Sequence, residues 1–263
     1  MTPNPRQLTL LTVVQAQGSV TVEQLAATLG VTLQTVRRDV QRLADEGLLA
    51  RFHGGVRPPS STTENIAHKQ RESLNADGKA RIALSVAAAV PNDCSLILNI
   101  GTTTEAIARA LSRHSGLRVI TNNLNVASIL STNPKCEVIV VGGVVRGRDQ
   151  GIVGEAAVDF IRQFKVDIAL IGISAIEPDG SLRDYDYREV KVSQTIMAHA
   201  REVWLAADLS KFKRPAMVEV ATLAQIDRLF TDAHPRPLPA LLAEAQVRLT
   251  VAAHSGGWPP PSH

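Results

Sequence analysis

The chain has few of the residues that stabilise small secreted proteins. It contains only two cysteines, Cys94 and Cys136, in 263 residues. Two thiols cannot build a disulfide framework, which predicts a protein of a reducing compartment. No run of about 20 apolar residues is present, and residues 1–6 lack the apolar core of a signal peptide. The sequence therefore predicts a soluble cytoplasmic protein that makes no use of a membrane.

Aromatic side chains are also scarce. They make up 3% of the chain, whereas hydrophobic residues make up 44%. A mainly aliphatic core is expected, and the length suits a small domain joined to a larger body. The seven histidines have no spacing typical of metal ligands, and no segment resembles a nucleophile elbow. We therefore expect neither a metal nor another cofactor.

Residues 32–43 form a segment with two chemically different faces. At about 100° per residue, one arc of a helix is apolar. Its residues are Leu33, Val36, Val40, Leu43 and Ala44. The opposite arc carries long polar side chains, namely Gln34, Arg37, Arg38, Gln41 and Arg42. Thr32 is the expected N-cap, and Gly47 is expected to end the segment. Alone, this pattern would also fit a surface helix with a solvated charged face.

The flanking segments favour a DNA-binding domain. A helix is expected over residues 7–17 and a short one over residues 22–29, with Gly30 forming the tight turn before Thr32. After Gly47, residues 48–52 and 56–57 are expected to form a basic hairpin, which is the wing of a winged helix. The net charge of +3 with a pI near 9.1 suits a compact basic head on a near-neutral body.

This head resembles the DeoR family of bacterial transcription regulators. The matching motifs are Val31-Thr32, Thr35-Val36-Arg37-Arg38-Asp39-Val40, Gly47-Leu48, Arg51 and His53-Gly54-Gly55. The resemblance implies that the Thr32 helix enters the major groove of DNA. The residues expected to bind DNA are Thr32, Gln34, Thr35, Arg37, Arg38, Arg42, Arg51, His53 and Arg57. Gln34, Arg37 and Arg38 are the candidates for base edges, and which arginine reads a guanine stays open. The two threonines are candidates for a phosphate at the helix start, and the other residues for backbone contacts.

A linker and an α/β body are expected to follow the head. Residues 58–63 read Pro-Pro-Ser-Ser-Thr-Thr, stiff at first and then polar. A helix is expected over residues 79–90, which Pro91 stops. Short apolar strands are then expected at 95–98, 118–120, 137–141, 167–171, 202–206 and 229–230, several of them followed by helices. This alternation indicates a mainly parallel sheet that is covered on both faces.

Small polar residues follow the predicted strands, where ligands bind in parallel sheets. The residues expected to bind an effector are Gly101, Thr102, Thr103, Thr104, Asn122, Asn123, Gly142, Gly143, Asp208, Lys211 and Arg214. Glycine lets the backbone approach an anion, hydroxyls and helix N–H groups donate to it, and cations bind phosphate. Together these residues favour a small phosphorylated polyol or sugar.

Each of these segments also has a structural alternative. Residues 101–104 could be a strand-to-helix turn with threonine caps, and Asn122 and Asn123 could serve only their own turn. Gly142 and Gly143 could form a tight turn without a ligand. Asp208 could form a surface salt bridge with Lys211 and Arg214.

The body resembles the sensor domain of the DeoR family. That resemblance implies a fold similar to ribose-5-phosphate isomerase and CoA-transferase-like proteins. Its motifs look like those of family members that regulate glycerol 3-phosphate metabolism. These motifs are Ile100-Gly101-Thr102-Thr103, Thr121-Asn122-Asn123, Arg148-Asp149, Gly154-Glu155-Ala156, Gly172-Ile173-Ser174, Asp179-Gly180-Ser181, Asp186-Tyr187, Glu189-Val190, and Asp208 with Ser210-Lys211-Phe212. Asn99 and Lys213 depart from the family pattern, which has an acid and a glycine there.

The resemblance implies a repressor of glycerol 3-phosphate metabolism genes. Its expected partners are a double-stranded DNA operator, a small phosphorylated effector (glycerol 3-phosphate first, another sugar phosphate as the alternative) and further copies of the chain in a homodimer or homotetramer. The expected divisions are a winged helix-turn-helix at residues 1–58, a linker at 59–75, a sensor domain at 76–235 and an extension at 236–263 with a disordered end.

A sugar-phosphate isomerase or CoA transferase carrying a DNA-binding head is the rival interpretation. It depends on fold analogy and on the glycine–threonine loop. Asp208 is the main carboxylate at a strand end, and no second acid or base accompanies it there. Asp184, Asp186 and Glu189 could form a catalytic set, but a salt-bridged face is the preferred interpretation. The chain is therefore not expected to be an enzyme.

Overall fold

The computed structural model describes residues 3–18, 20–52, 54–58, 62, 65, 67–235 and 238–253. The first part of the chain folds into a small head of three helices and three short strands. The elements are α1 (Pro5–Gln17), β1 (Val20–Thr21), α2 (Val22–Leu29), α3 (Leu33–Asp45), β2 (Ala50–Phe52) and β3 (Gly55–Arg57). The strands form an antiparallel sheet in the order β1-β3-β2, so the predicted wing is present and has an additional strand.

Local capping interactions explain where the head helices begin and end. Asn4 and Gln7 form a capping box at the start of α1, and Thr21 and Gln24 form another at the start of α2. Gly30 adopts a left-handed conformation with φ of 63° after α2, which glycine does without steric cost. Helices α1, α2 and α3 therefore pack around one apolar core, as the helix-turn-helix pattern predicts.

The second part of the chain is larger and begins with two helices. Helix α4 (His68–Ser73) lies within the predicted linker, and α5 (Ala76–Ala89) follows it. The first half of the body then contains β4 (Ser95–Leu98), α6 (Thr102–Leu111), β5 (Leu117–Thr121), α7 (Leu124–Leu130), β6 (Cys136–Val140), β7 (Val144–Arg146), β8 (Gly151–Val153) and α8 (Glu155–Ile161).

The second half of the body completes the sheet. Its elements are β9 (Val166–Ile171), β10 (Ala175–Ile176), β11 (Ser181–Asp184), α9 (Tyr187–Ala198), β12 (Ala200–Ala206), a 3-10 turn (Leu209–Lys213), β13 (Val218–Thr222), a second 3-10 turn (Leu223–Gln225), β14 (Arg228–Thr231), α10 (Pro239–Glu244) and β15 (Arg248–Val251). The chain is thus α/β, as predicted.

Seven parallel strands form the central sheet in the order β15-β14-β12-β9-β4-β5-β6. The sheet is buried on both faces: in β4, Ile97 packs into one apolar cluster, whereas Leu96 and Leu98 pack into the other. Helices α5 to α7 cover one face, and α8 to α10 cover the opposite face. Two antiparallel units, β7-β8 and β10-β11-β13, lie beside it.

Two features differ from the sequence-based expectations. Residues 238–253, which were expected in an extension, supply α10 and the edge strand β15 of the central sheet. Leu33 was expected on the buried arc of α3, yet 42% of its surface is exposed. It begins the helix one turn before Val36, which is the first fully buried position. The expected disordered end, residues 254–263, lies outside the described residues.

Among the described residues, no helix combines the length and apolar character that crossing a membrane requires.

Candidate nucleic-acid interface and effector site

Helix α3 presents a polar face to solvent. Val36, Val40 and Leu43 are buried against the other head helices, whereas Gln34, Arg37 and Arg38 are exposed. The hydroxyl of Thr32 accepts a hydrogen bond from the Thr35 amide at 3.3 Å and caps the helix. The head thus combines an anchored apolar face with exposed guanidinium and amide groups, which is the arrangement that reads a major groove.

Asp39 holds α3 against α1, a role that the sequence analysis did not assign. Its carboxylate is buried and accepts hydrogen bonds from Arg6 Nε at 2.7 Å and from Gln7 Nε2 at 2.9 Å. The hydrogen bond and charge of Asp39 raise the pKa of Arg6. The position could have been found from its spacing, because Asp39 follows Val36 by three residues and therefore lies on the buried arc.

Of the remaining predicted DNA-binding residues, Arg42 lies on α3, and Arg51 and Arg57 lie in the wing. Arg42 is exposed and lies 3.6 Å from Glu46. Arg51 donates a hydrogen bond to the side chain of Gln41 on α3, which joins the wing to the helix. Arg57 is exposed at the end of β3. His53 lies outside the described residues.

In the body, the Gly101–Thr104 loop joins β4 to α6. Thr104 donates to the carbonyl oxygens of Asn99 at 2.8 Å and Gly101 at 2.7 Å, so its hydroxyl stabilises the turn itself. Thr102 and Thr103 are buried in the first turn of α6. N–H groups at the start of a helix have no partner inside the helix and can donate to an anion.

The two asparagines after β5 have different environments. Asn123 caps α7 by accepting from the Asn125 amide at 2.9 Å, so its predicted structural alternative accounts for this side chain. Asn122 donates to the carbonyl of Ile152 at 2.9 Å, while its side-chain oxygen is buried without a hydrogen-bond partner. Only Asn122 therefore retains an unused acceptor.

Gly142 and Gly143 lie next to Asn122, because β6 pairs with β5, but apart from Asp208, Lys211 and Arg214. Both are exposed after the edge strand β6. Strands β5, β4 and β9 separate β6 from β12, and four spacings of about 4.8 Å put the two strand ends about 19 Å apart. A Cβ atom on Gly143 would lie 2.8 Å from Ile152 Cγ2, so the packing of the β7-β8 hairpin explains that glycine.

Four cationic side chains act on one another near the end of β12, and two of them, Lys211 and Lys79, also act on the carboxylate of Asp208. Asp208, Lys211 and Arg214 were predicted there, and the structure adds Lys79 from α5 and Arg71 from α4. Asp208, Lys79, Lys211 and Arg214 are each at most 8% exposed. Asp208 Oδ1 accepts from the Ser210 amide at 2.9 Å, whereas its Oδ2 has no partner among the described residues. We call the four cationic residues, Arg71, Lys79, Lys211 and Arg214, the cation cluster.

Burial and mutual repulsion perturb the cation cluster. Burial, followed by the charge of Arg214, lowers the pKa of Lys211 to about 7. Burial likewise lowers the pKa of Lys79 to about 8. Burial alone would raise the pKa of Asp208, but the ammonium groups of Lys211 and Lys79 outweigh it and hold that pKa below its ordinary value. Other carboxylates also lie close by: Asp232 accepts from the Leu209 amide at 2.9 Å, and Glu189, Asp184 and Asp149 act on Arg71.

An ion-pair network lies next to the cation cluster. Arg146 bonds Asp149 at 2.7 Å, Asp186 at 2.9 Å and Glu189 at 2.6 Å. Burial and then the neighbouring Asp184 raise the pKa of Glu189 to about 7. The carboxylates Asp186 and Glu189, considered above as a catalytic set, are thus joined by one arginine in a salt-bridged face. A small cavity of about 90 Å³ separates this network from the linker residues Asn65 and His68.

Comparisons with known proteins agree with both halves of this architecture. A family model described as a DeoR-like helix-turn-helix domain matches residues 6–62, and one described as the DeoR C terminal sensor domain matches residues 74–233. The glycerol-3-phosphate regulon repressor of Escherichia coli is 44% identical over 226 residues, which are 86% of this chain and 89% of that protein. The corresponding repressor of Haemophilus influenzae is 43% identical over 94% of this chain and 96% of its own length.

A repressor with a different name is nearly as similar. The HTH-type transcriptional repressor CsqR of Escherichia coli is 42% identical over 95% of each chain. Among solved structures, ribose 5-phosphate isomerase A from Methanocaldococcus jannaschii aligns with a TM-score of 0.39 and 16% identity over 52% of this chain and 55% of that one.

The class of protein follows from the matched families and the named relatives. The exposed polar face of α3 and the sensor body agree with them. It binds DNA through the helix-turn-helix head and a small-molecule effector through the body. The chain belongs to the DeoR family and is a transcriptional repressor, not an enzyme.

Proposed function

We propose that this repressor controls genes of glycerol 3-phosphate metabolism and is released from its operator by a small phosphorylated ligand, foremost glycerol 3-phosphate. Two similar relatives carry the name glycerol-3-phosphate regulon repressor. CsqR is almost equally similar to this chain, so the class of effector follows from the chemistry of the site.

The cation cluster is the observation that carries this proposal. Lys211, which is buried, is acted on by the other three cations, and only one carboxylate, Asp208, acts on it in return. Burying uncompensated charge is costly, and the depressed pKa of Lys211, about 7, reflects that cost. A phosphate dianion would supply Lys211 with a counter-charge and form charge-assisted hydrogen bonds with the ammonium and guanidinium groups.

Polar atoms that suit hydroxyls also lie at this edge of the sheet, those of Asp208 and Thr231 after neighbouring strands and that of Asn122 three strands from β12. Asp208 Oδ2, Asn122 Oδ1 and Thr231 Oγ1 are the described side-chain atoms that are buried without a hydrogen-bond partner. They lie at the carboxyl ends of β12, β5 and β14. Buried polar atoms without partners are rare in proteins, and a carboxylate oxygen accepts well from a ligand hydroxyl. A phosphate with a short hydroxylated chain combines both requirements.

Calorimetric titration of the full chain tests the proposal. The ligands are glycerol 3-phosphate, glycerol, inorganic phosphate and a set of larger sugar phosphates. We expect glycerol 3-phosphate to bind more tightly than inorganic phosphate, and glycerol not to bind. Binding of glycerol without binding of its phosphate would overturn the proposed effector, and preference for a larger sugar phosphate would reassign it.

A further inference from the structure

The segment that joins the head to the body also lines the effector site. Asn65 accepts from Arg214 at 2.8 Å and donates to Ser174 at 3.2 Å. His68, the first residue of α4, lies 2.8 Å from Glu105 on α6. These contacts run from the cation cluster to the helix that follows the Gly101–Thr104 loop. The path between the two domains therefore crosses the site itself.

Arg71 places α4 between two groups of opposite charge. Its guanidinium lies 3.9 Å from Asp149, which belongs to the Arg146 network. Its positive charge also acts on Lys79 and Lys211, since it contributes to lowering the pKa of both. Arg71 is therefore the member of the cation cluster that comes from the linker and faces the carboxylates.

The end of α4 connects the cation cluster to the head. Lys79 Nζ donates to the carbonyl oxygens of Arg71 and Leu74, the latter at 2.6 Å. Leu74 follows α4 directly, and its buried side chain belongs to the apolar core of the head. A displacement of α4 toward or away from the cation cluster would therefore move Leu74 and alter the packing of α1 to α3.

Helix α4 is held by contacts with the body, among them His68 with Glu105 at 2.8 Å and Glu72 with Arg109 at 3.2 Å, and not by helical structure of its own. It has six residues, no side-chain cap at its start and no buried side chain of its own. A helix this short is not stable by itself, so its position depends on its tertiary contacts. Asp149 keeps its contacts of 2.8 and 2.7 Å with Arg146 if Arg71 leaves, so the departure of Arg71 would not strand a buried carboxylate.

We propose that α4 is the element through which the effector acts on the head, with Arg71 exchanging Asp149 for the anionic group of the bound ligand. A guanidinium pairs with a phosphate through two parallel hydrogen bonds, and such a pairing would compete with the carboxylates of Glu189, Asp184 and Asp149 that act on Arg71. The exchange moves α4 together with Leu74 and so favours a head arrangement that binds operator poorly. This inference depends on the proposed function, because it requires a phosphorylated effector in the cation cluster.

The test compares operator release in three full-length proteins: the wild type, Arg71→Gln and Arg148→Gln. Arg148 is the matched control, because it also lies near Asp149, at 3.7 Å, but belongs to the body and is exposed. The operator dissociation constant is measured without ligand and with saturating glycerol 3-phosphate, and the ratio is the release factor. At saturation this factor is independent of effector affinity.

We expect a release factor near a hundred for the wild type and for Arg148→Gln, and below about ten for Arg71→Gln. Hydrogen exchange of residues 67–75 should change on adding glycerol 3-phosphate to the wild type, and not in Arg71→Gln. A release factor in Arg71→Gln equal to that of the wild type would overturn the role of α4. If glycerol 3-phosphate neither binds the wild type nor releases it from the operator, the proposed function is wrong. That result differs from a normal release factor in Arg71→Gln, which contradicts only the role of α4.

Discussion

At the scale of single residues, Lys211 shows how burial prepares the site for an anion. The amine is 8% exposed and faces other cations, so its protonated form is disfavoured without a counter-charge. The neighbouring Asp208 attracts the proton but does not offset burial and Arg214 together. A ligand phosphate would reverse this balance.

Replacing Lys211 by methionine should produce a repressor that stays on its operator when effector is added. The substitution retains most of the buried volume and removes the charge that the phosphate requires. We expect effector affinity to fall at least about tenfold, since a hydrogen bond to a charged group contributes roughly 1.5–3 kcal/mol. Lys191→Met is the control, because Lys191 is exposed and pairs with Glu155 on the surface. Normal induction of Lys211→Met would refute the assigned phosphate contact.

Effector binding should also take up protons. The titratable and charged groups that act on Lys211 are Arg214, Asp208, Lys79 and Arg71. The pKa of Lys211 is about 7 in the empty site and rises when a phosphate binds. The occupied state then holds more protons above pH 7, so affinity falls as the pH rises from about 7 to 9, and Lys79, with a pKa of about 8, adds to the effect.

Calorimetry at pH 8 in two buffers of different ionisation enthalpy measures this proton uptake. A phosphate monoester is already a dianion at that pH, so its own titration contributes little. We expect uptake of about 0.5 to 1.4 protons per ligand, the upper value being reached if both lysines become fully protonated. Binding enthalpies that are identical in both buffers would contradict the account.

Two members of the cation cluster, Lys79 and Arg71, were not predicted from the sequence. The sequence contains a sign of Lys79 but none of Arg71. Lys79 lies on the same helical arc as Ile82, Ala83 and Val86, and a lysine on an apolar arc indicates a buried amine. Arg71 stands in a polar linker, and its place beside Asp149 results from how the linker folds over the body. Non-local contacts of this kind leave no local pattern to read.

At the scale of elements, α3 separates two functions on two faces. Its buried arc fixes the helix, and its exposed arc offers Gln34, Arg37 and Arg38 to DNA. Arg38→Ala should lower the preference for operator over random DNA by about 1–3 kcal/mol, the range for a base-reading arginine. Competition binding at fixed salt measures this preference. The exposed body residue Arg118, changed to alanine, controls for net charge, and unchanged discrimination in Arg38→Ala would refute the assigned face.

The attachment of α3 to α1 can be tested separately. Asp39→Asn should destabilise the head by about 1–3 kcal/mol, because the amide loses the negative charge and turns one of the two acceptor oxygens into an NH2 group that faces a donor of Arg6 or Gln7. Asp45→Asn is the matched control on the same helix, since Asp45 is exposed, and its effect should stay within about 0.5 kcal/mol. Denaturant unfolding reports both values, and equal effects would show that Asp39 does not anchor the helix.

Helices and long strands were predictable because their cues are local. Caps and glycines bound α2 and α3, and apolar runs mark β4, β9 and β12. Strand β1 was missed because two residues become a strand only by pairing with β3. The order of the strands depends on tertiary packing and could not be predicted. Sequence alone suggested that all the strand ends meet at one site, whereas four strand spacings separate Gly142 from the cation cluster.

At the scale of the whole molecule, the head and body meet beside the proposed effector site. The 3-10 turn Leu209–Lys213, which carries Lys211, contacts α1 of the head. The linker helix α4 contributes Arg71 to the cation cluster. Leu74, the residue that follows α4, packs into the head core. An anion bound there touches elements that hold the head, which provides a short physical route from ligand to DNA.

The most direct test is the operator affinity of the full chain with and without glycerol 3-phosphate. The duplex is one that the chain itself selects from a random pool, which removes any assumption about its sequence. The account predicts specific binding that weakens about a hundredfold at saturating effector, equivalent to about 2.7 kcal/mol of coupling. Failure to select any duplex, or an operator dissociation constant that no phosphorylated polyol or sugar changes, would contradict it.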